Sequence, residues 1–380
     1  MSSLVRLFDY SLPIKEQISF LYSCLKIIDR GYLTNDVYVK KLEHSLESFF
    51  NNKKAICVTS GTSALQIIFS CFCKEGDHII MPNNTFIATW QAARICNLNI
   101  HLVDTNETGI GICPNHLNHT LAKLHEKSIA PKAVVDVHIG GFISRYWNEC
   151  KDISKNFGCF YLEDSAQAFG SKTSCGLHSG CIGEASIHSF HLTKVLTGGE
   201  GGLALCSEDM ASSLRSLRQF GVSDENSLLH NSISLNSKMS EFTAAFILEN
   251  FKIVMSKISK RRKLLDIYRT HLDPDKFLVY DDIYMNSYSS AYKTVVKVKD
   301  KLDYQEILDN AKLIPLTGFV YKYPLSHQPV VINDNQTFFS KKKLNNSISF
   351  SEMHICPPNY PELKKASVLN ICDFLNSITH

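Results

Sequence analysis

Over the first 220 residues, short runs that are apolar almost throughout alternate with longer segments whose apolar positions recur at helical spacing. No other feature of the chain limits its fold as much. The runs are "AICV", "HIIM", "NIHLV", "AVVDV", "CFYLE", "ASIHSF" and "GLALC", and helical patterns lie at 62–73, 87–96, 114–127 and 147–157. A strand that is apolar on both faces has to be covered on both, so the alternation predicts an α/β fold, a mostly parallel central sheet with flanking helices. From about residue 238 the pattern changes to one long helix, "MSEFTAAFILENFKIVMSKISKRRKLLDIYRTHL", ending short of Pro274. Beyond it, "AYKTVVKVK" alternates like a half-exposed strand, and "YQEILDNAKL" and "KASVLNICDFLNSI" read as helices. Because 380 residues exceed what one core usually holds, the expected division is a large α/β domain over 1–250 and a smaller α+β domain over 251–380.

Forty basic against 37 acidic residues give a net charge of +3 without long runs of one sign, so neither nucleic acid nor a membrane surface is indicated as a partner. "SKRR" at 259–262 and "KKK" at 341–343 read as solvated faces. The opening "MSSLVRLFDYSLPIKEQ" lacks the pattern of a secretory leader, and no stretch reaches the roughly 18 uninterrupted apolar residues of a membrane helix. Thirteen cysteines without a C-x-x-C pair, several of them inside apolar runs, suit reduced thiols. A soluble cytoplasmic protein is expected.

In a parallel sheet, ligands gather at the carboxyl ends of the strands. After "AICV", the stretch "TSGTSALQIIF" sets Thr59, Ser60, Gly61, Thr62 and Ser63 at the start of a helix. Free backbone N–H groups and the positive helix end suit a phosphate there, although an ordinary N-cap reads the same way. The Gly-Lys-Ser/Thr pairing of a P-loop is missing, so an ATPase is not indicated. "CFYLEDSAQAFGS" ends a second run on Glu163 and Asp164, with Gln167 close behind; a carboxylate here serves either a ligand or the following turn. "HSFHLTKVLTGGEGG" places Lys194 after a third run and before four glycines. Alone, such a lysine is a solvated surface charge. With the phosphate turn and the strand-end carboxylate in that chain order, it describes a site for pyridoxal 5'-phosphate. An amine at Lys194 can form an imine with the aldehyde, and Asp164 can keep the pyridine nitrogen protonated. Phe86 either stacks on the ring or belongs to the core. Cys175, His178 and Cys181 in "SCGLHSGC" have metal-like spacing but lack a fourth ligand nearby, so no metal is expected.

Together these motifs resemble the DegT/DnrJ/EryC1/StrS family of sugar aminotransferases, pyridoxal-phosphate enzymes of fold type I. "SGTSALQ", "PNNTFIATWQA", "LEDSAQAFGS" and "SFHLTKVLTGGEGGLAL" match four family motifs in order. "VVDVHIGG", "LNSKMSEFTAAF" and "YKYPLSHQP" match three more loosely. The resemblance spans nearly the whole chain. It implies Lys194 as the imine-forming lysine, Asp164 as the pyridinium partner and Gln167 as a donor to the cofactor's phenolic oxygen. It implies Gly61, Thr62 and Ser189 as phosphate ligands, Phe86 as the stacking residue, and Asn236 or Lys238 as a contribution from a neighbouring subunit. A homodimer with shared active sites follows from it. So does transfer of an amino group from glutamate to a nucleotide-linked ketosugar by ping-pong kinetics.

The chain departs from the family pattern in two places. "YLTNDVYVKKLE" replaces the usual Gly-Pro before the second helix, and Asn236-Ser237-Lys238 replaces Asn-Tyr-Arg. Both stand where family members approach substrate or partner, so they bear on substrate identity and not on the cofactor. Two other functions share the motifs: sugar dehydration, whose family members carry His at the position of Lys194, and cofactor binding without turnover in a regulatory protein.

Overall fold

All seven apolar runs form strands in a computed structural model that describes residues 5–223, 228–310, 318–340 and 343–378. Two helices come first, Ile14–Arg30 (α1) and Val37–Phe49 (α2). Then follow Lys54–Val58 (β1), Gly61–Phe72 (α3), His78–Pro82 (β2), Ile87–Ile95 (α4), Asn99–Val103 (β3), Pro114–Glu126 (α5), Ala133–Val137 (β4), Trp147–Asn156 (α6) and Phe160–Asp164 (β5). The short Lys172–Thr173 (β6), then Ala185–Ser189 (β7), Gly202–Cys206 (β8), Glu208–Arg218 (α7) and the long Glu241–His271 (α8) complete this part. The remainder holds Phe277–Val279 (β9), Asp282–Met285 (α9), Ser287–Tyr288 (β10), Val296–Val298 (β11), Lys301–Asn310 (α10), Pro329–Ile332 (α11), Thr337–Phe338 (β12), Asn345–Met353 (α12), His354–Ile355 (β13) and Lys365–Ile378 (α13).

The main sheet runs β1-β8-β7-β5-β4-β2-β3-β12. Only β8 is antiparallel to its neighbours, so β1, β2, β3, β4, β5 and β7 all end at one edge. Side chains alternate between two covered faces, as period two requires. Ile56, Met81, Leu102, Val135 and Leu162 pack under α3, α4 and α7. Tyr161, Val134 and Ile80 pack under α5 and α6, while Ala55, Cys57, Leu203 and Leu205 pack under α2 and α8. The second half of α8 carries Leu264, Tyr268 and Leu272 into another core, built with the three-stranded sheet β13-β11-β9 and with α13.

Several expectations needed adjustment. The amino-terminal helices and α7 were not singled out by the apolar runs. Helix α2 starts without a side-chain cap of its own; Glu241 of α8 instead accepts the N–H groups of Asp36, Tyr38 and Val39 at 2.9, 2.7 and 3.0 Å. The strand expected over 291–299 shrinks to Val296–Val298, because Ser290 and Lys293 donate their N–H groups to Gly141 and Gly140 and bind the preceding residues to another loop. The helix expected over 304–313 is described from Lys301 to Asn310; positions 311–313 lie outside the described residues, as do Lys341 and Lys342.

Of the four glycines after Lys194, Gly202 makes a close approach within the chain. Gly202, the first residue of β8, lies so close to the turn before α3 that an added Cβ would collide with the carbonyl group of Ser60 and the nitrogen of Gly61. This approach seats the lysine turn against the turn before α3. Both obstructing groups are backbone and cannot swing away. Gly202→Ala is therefore expected to destabilise the protein by about 1–3 kcal/mol, seen as an earlier midpoint in urea denaturation; an unchanged midpoint would show that this approach is not tight.

Candidate functional site

At the carboxyl edge of the sheet lies a cleft of about 310 Å³, lined by residues from the turn before α3, the start of α4, the ends of β5 and β7, the lysine turn, and two tyrosines from the later part of the chain. Gly61, Thr62, Phe86, Asp164, Gln167, Ser189 and Lys194 all line it. Asn236 and Lys238 do not. They sit outside, with Asn236 bridging Gln219 and Lys238 bridging Val58.

The floor is the amino terminus of α3. Ser60 is a true N-cap: its Oγ accepts the N–H of Ser63 at 3.0 Å, and its carbonyl accepts that of Ala64. Capping uses the third and fourth N–H groups, and no protein acceptor among the described residues takes those of Gly61 or Thr62. Those two donors, the helix dipole and the hydroxyls of Thr62 and Ser189 converge on an anion-sized space. The N-cap therefore leaves the first two donors free for a ligand. An added Cβ on Gly61 would stand 3.0 Å from Ser189 Cβ, so strand end and helix start close on each other with no room for a larger residue.

Consecutive carboxylates at the end of β5 have separate fates. Asp164 faces α4 and the cleft: Thr89 Oγ1 donates to its Oδ2 at 2.7 Å, and the Ala166 N–H donates to its Oδ1 at 3.1 Å. Thus one oxygen caps the following turn, and the buried carboxylate still opens on the cleft. Glu163 points through the opposite face and is wholly buried. It accepts the N–H groups of Gly180, Ile182 and Gly183 at 2.7–2.8 Å and one from His138 Nε2 at 3.0 Å. The Ser144 N–H donates to His138 Nδ1, which fixes the proton of that ring on Nε2. Burial pushes the Glu163 carboxyl up, but His138 and the Gly183 and Gly180 N–H groups outweigh it and hold the carboxyl below its ordinary value.

Gln167 is held at both ends. Its Oε1 accepts the Gly140 N–H at 2.8 Å, and its Nε2 donates to Tyr321 Oη at 2.7 Å, leaving one amide proton for a ligand. Phe86 is not a core residue: it is 57% exposed, and its ring lies 6.5 Å from that of Tyr321 at 27°. Lys194 Nζ lies 5.0 Å from the ring centroid of Tyr292, whose hydroxyl shares a 3.0 Å hydrogen bond with Thr193. Burial raises the Tyr292 phenol, yet the ammonium groups of Lys194 and Lys293 and the Thr193 bond bring it below the usual tyrosine value. Burial and the nearby Asp164 push Tyr321 well above its usual value, so it stays protonated. Thr89, Tyr292 and Tyr321 were missed in the sequence. Thr89 had a signal, standing one turn after Phe86, where a residue faces the same side; Tyr321 opens the "YKYPLSHQP" stretch already matched to the family, whereas Tyr292 comes from a segment with no local mark.

The Cys175-His178-Cys181 spacing does not gather its members. Cys175 is exposed beside Thr173, the buried His178 ring packs on Phe49 and Phe50, and Cys181 Sγ donates to the Phe50 carbonyl. All thirteen cysteines are free thiols. No helix among the described residues is long and apolar enough to cross a membrane.

Against known proteins, the model of the DegT/DnrJ/EryC1/StrS aminotransferase family matches residues 15–376. The chain is 26% identical over 273 residues to a GDP-perosamine synthase of Vibrio cholerae, covering 71% of each chain. It is 26% identical over 361 residues to a UDP-2-acetamido-2-deoxy-3-oxo-D-glucuronate aminotransferase of Pseudomonas aeruginosa, covering 93% of this chain and 94% of that one. A crystal structure of a DegT DnrJ EryC1 StrS aminotransferase from Brucella abortus superposes with a TM-score of 0.87 at 20% identity, covering 96% of both chains.

The Glu163 arrangement gives a test of the scaffold under the cleft. Glu163→Gln sets an amide N–H₂ against backbone donors and is expected to cost about 3–5 kcal/mol. A carboxyl whose folded-state value is lowered contributes stability above its unfolded value, about 4.5. That contribution disappears as pH falls through the lowered folded value. Denaturation midpoints of the parent should therefore fall on acidification below the unfolded value, with a shallower acid limb for Glu163→Gln; parallel limbs would contradict the pairing.

Proposed function

The chain belongs to the DegT/DnrJ/EryC1/StrS aminotransferase family, and from that premise we propose that it is a pyridoxal-phosphate-dependent aminotransferase. Its amino acceptor is a nucleotide-linked ketosugar and its donor is glutamate. The observation that carries this reading is the convergence of Lys194, Asp164 and the amino terminus of α3 on one cleft. Relatives named for GDP-linked and UDP-linked sugar chemistry support the acceptor class.

The cleft fits the cofactor by its donor set. The N–H groups of Gly61 and Thr62 and the hydroxyls of Thr62 and Ser189 would hold the phosphate, Phe86 would cover one face of the ring, and the spare amide proton of Gln167 would reach the phenolic oxygen. When bound, pyridoxal phosphate supplies an electron sink for charge developing at the donor's α-carbon. Asp164 would hold a proton at the ring nitrogen, its carboxylate fixed by the hydrogen bond from Thr89. Lys194 would hold the cofactor through Nζ, and its amine would move a proton at the donor's α-carbon as general base and then general acid. Tyr321 and Phe86 wall the cleft and limit water. Because donor and acceptor use the same cleft in turn, the kinetics are ping-pong.

Asn236 and Lys238 lie outside the cleft of their own chain. In a homodimer with shared sites each reaches the partner's phosphate site, where a further polar group or cation is useful. Free thiols throughout suit the cytoplasm. A lysine at 194 favours amino transfer over sugar dehydration.

The test uses purified protein with glutamate and a panel of nucleotide ketosugars, followed by mass spectrometry of the products and by initial rates. Parallel double-reciprocal lines are expected. Lys194→Ala should abolish turnover with the fold intact, and Asp164→Asn should lower kcat by about 10²-fold or more. Full activity in Lys194→Ala would end this reading.

A further inference from the structure

Lys194 shares its turn with two polar side chains to which the proposed function gives no part. His191 and Thr193 line the cleft beside it, as do Tyr292 and Glu200, and the Lys194 N–H donates to the His191 carbonyl at 2.9 Å, which keeps the turn tight. The four side chains stand in a row. Tyr292 Oη lies 3.0 Å from Thr193 Oγ1, which lies 3.1 Å from His191 Nδ1, and His191 Nε2 faces Glu200 Oε1 at 3.9 Å. One backbone group fixes the direction of the row. The Thr193 N–H donates to His191 Nδ1 at 3.4 Å, so in the neutral ring that nitrogen is bare and the proton is on Nε2. Thr193 Oγ1 therefore donates to His191 and accepts from Tyr292. The two ends differ in access to water: Tyr292 is 6% exposed, and the His191 side chain 47%.

We propose that Tyr292, Thr193 and His191 form a proton relay, which strips the incoming amino donor of the proton that its nitrogen carries. The inference rests on the aminotransferase reading. At neutral pH the α-amine of a donor is mostly an ammonium ion and lacks the electron pair needed for attack. In that reading Lys194 is engaged with the cofactor through Nζ, and Asp164 with the ring nitrogen, so neither is free to take the proton. A nitrogen that is to replace Nζ has to come to the same carbon, and Nζ stands over the Tyr292 ring at 5.0 Å. The exchange itself thus brings the donor beside Tyr292.

In the transfer an N–H bond of the ammonium breaks and its proton joins Tyr292 Oη. The phenol proton joins Thr193 Oγ1, and the proton of that hydroxyl joins His191 Nδ1. A neutral amine and an imidazolium result, with no change in electron count. The exposed ring then gives one proton to water, with the Glu200 carboxylate nearby while the charge lasts. Burial raises the Tyr292 phenol, but Lys194 and Lys293, helped by Arg261, bring it below its ordinary value and ease the release of its proton. Tyr321 does not compete. Burial and Asp164 hold that phenol well above its usual value, and its oxygen accepts from Gln167.

The test uses the full-length protein loaded with pyridoxal phosphate and mixed with glutamate alone, the cofactor's absorbance being followed by stopped flow. Tyr292→Phe, which keeps the ring, and Thr193→Val, which keeps the shape, should each lower the second-order rate constant about 10²-fold at neutral pH. Thr193→Ser restores a hydroxyl and should recover most of the loss. Raising the pH supplies the donor as free amine, so both deficits should shrink by up to about tenfold per pH unit. A deficit that stays constant with pH is the mark of a merely structural role and overturns the proposal. A second readout needs no turnover: nitrogen NMR of the His191 ring, with and without the cofactor, should place the proton of the neutral ring on Nε2. A proton on Nδ1 would leave Thr193 nothing to donate to, and overturns the relay as well. A parent protein whose cofactor glutamate does not convert counts against the proposed function, and the relay falls with it; a converting parent with pH-independent deficits counts against the relay alone.

Discussion

The cleft depends on one contact, the backbone of Gly202 against the carbonyl of Ser60. β8 is the single strand of the main sheet that runs against its neighbours, and it begins at the edge where the others end. Its first residue therefore meets the turn that opens α3. Because the chain reaches β8 directly from the lysine turn, fixing Gly202 also fixes where Lys194 stands relative to the free N–H groups of Gly61 and Thr62. Remove that fit and both halves of the site lose their common origin.

A second constraint is the alternation of side chains in β5. Glu163 and Asp164 are adjacent in sequence and are sent to opposite faces. One becomes the buried anchor of the 180–183 loop, and the other faces the cleft. The loop that Glu163 holds leads straight into β7, which ends in Ser189. Two carboxylates with the same chemistry thus act in series: the buried one sets the entry to the strand whose end meets the turn before α3, and the other lines the cleft.

Much of this was legible because it is local. A run such as "AVVDV" can only be a strand buried on both faces, and the residues after each run fall at the edge where ligands collect. The pair at 163 and 164 was readable too, since period two alone separates the faces. What stayed hidden depends on contacts between distant segments. Nothing near Tyr292 marks it as a cleft residue, and "YKYPLSHQP" does not say that its first tyrosine reaches the cleft, because both arrive there through tertiary packing. Nor does "TNDVYV" reveal that its N–H groups are satisfied by a carboxylate about two hundred residues later. The four glycines after Lys194 were recognisable as a tight turn, but the object they approach could be known only once β8 was seen to return beside β1.

The long helix α8 joins the two cores without interruption, with Ala244, Ile247 and Ile258 in one and Leu264 and Tyr268 in the other. An α-helix turns by roughly 100° for each residue, so this element has a phase as well as a length. Gaining or losing a single position between Ile258 and Leu264 would swing everything downstream around its axis, carrying both tyrosines away from the lysine although no residue of the site had changed. Exchanging side chains on the outer surface of that rod leaves its phase untouched; the number of residues in it is what sets the phase.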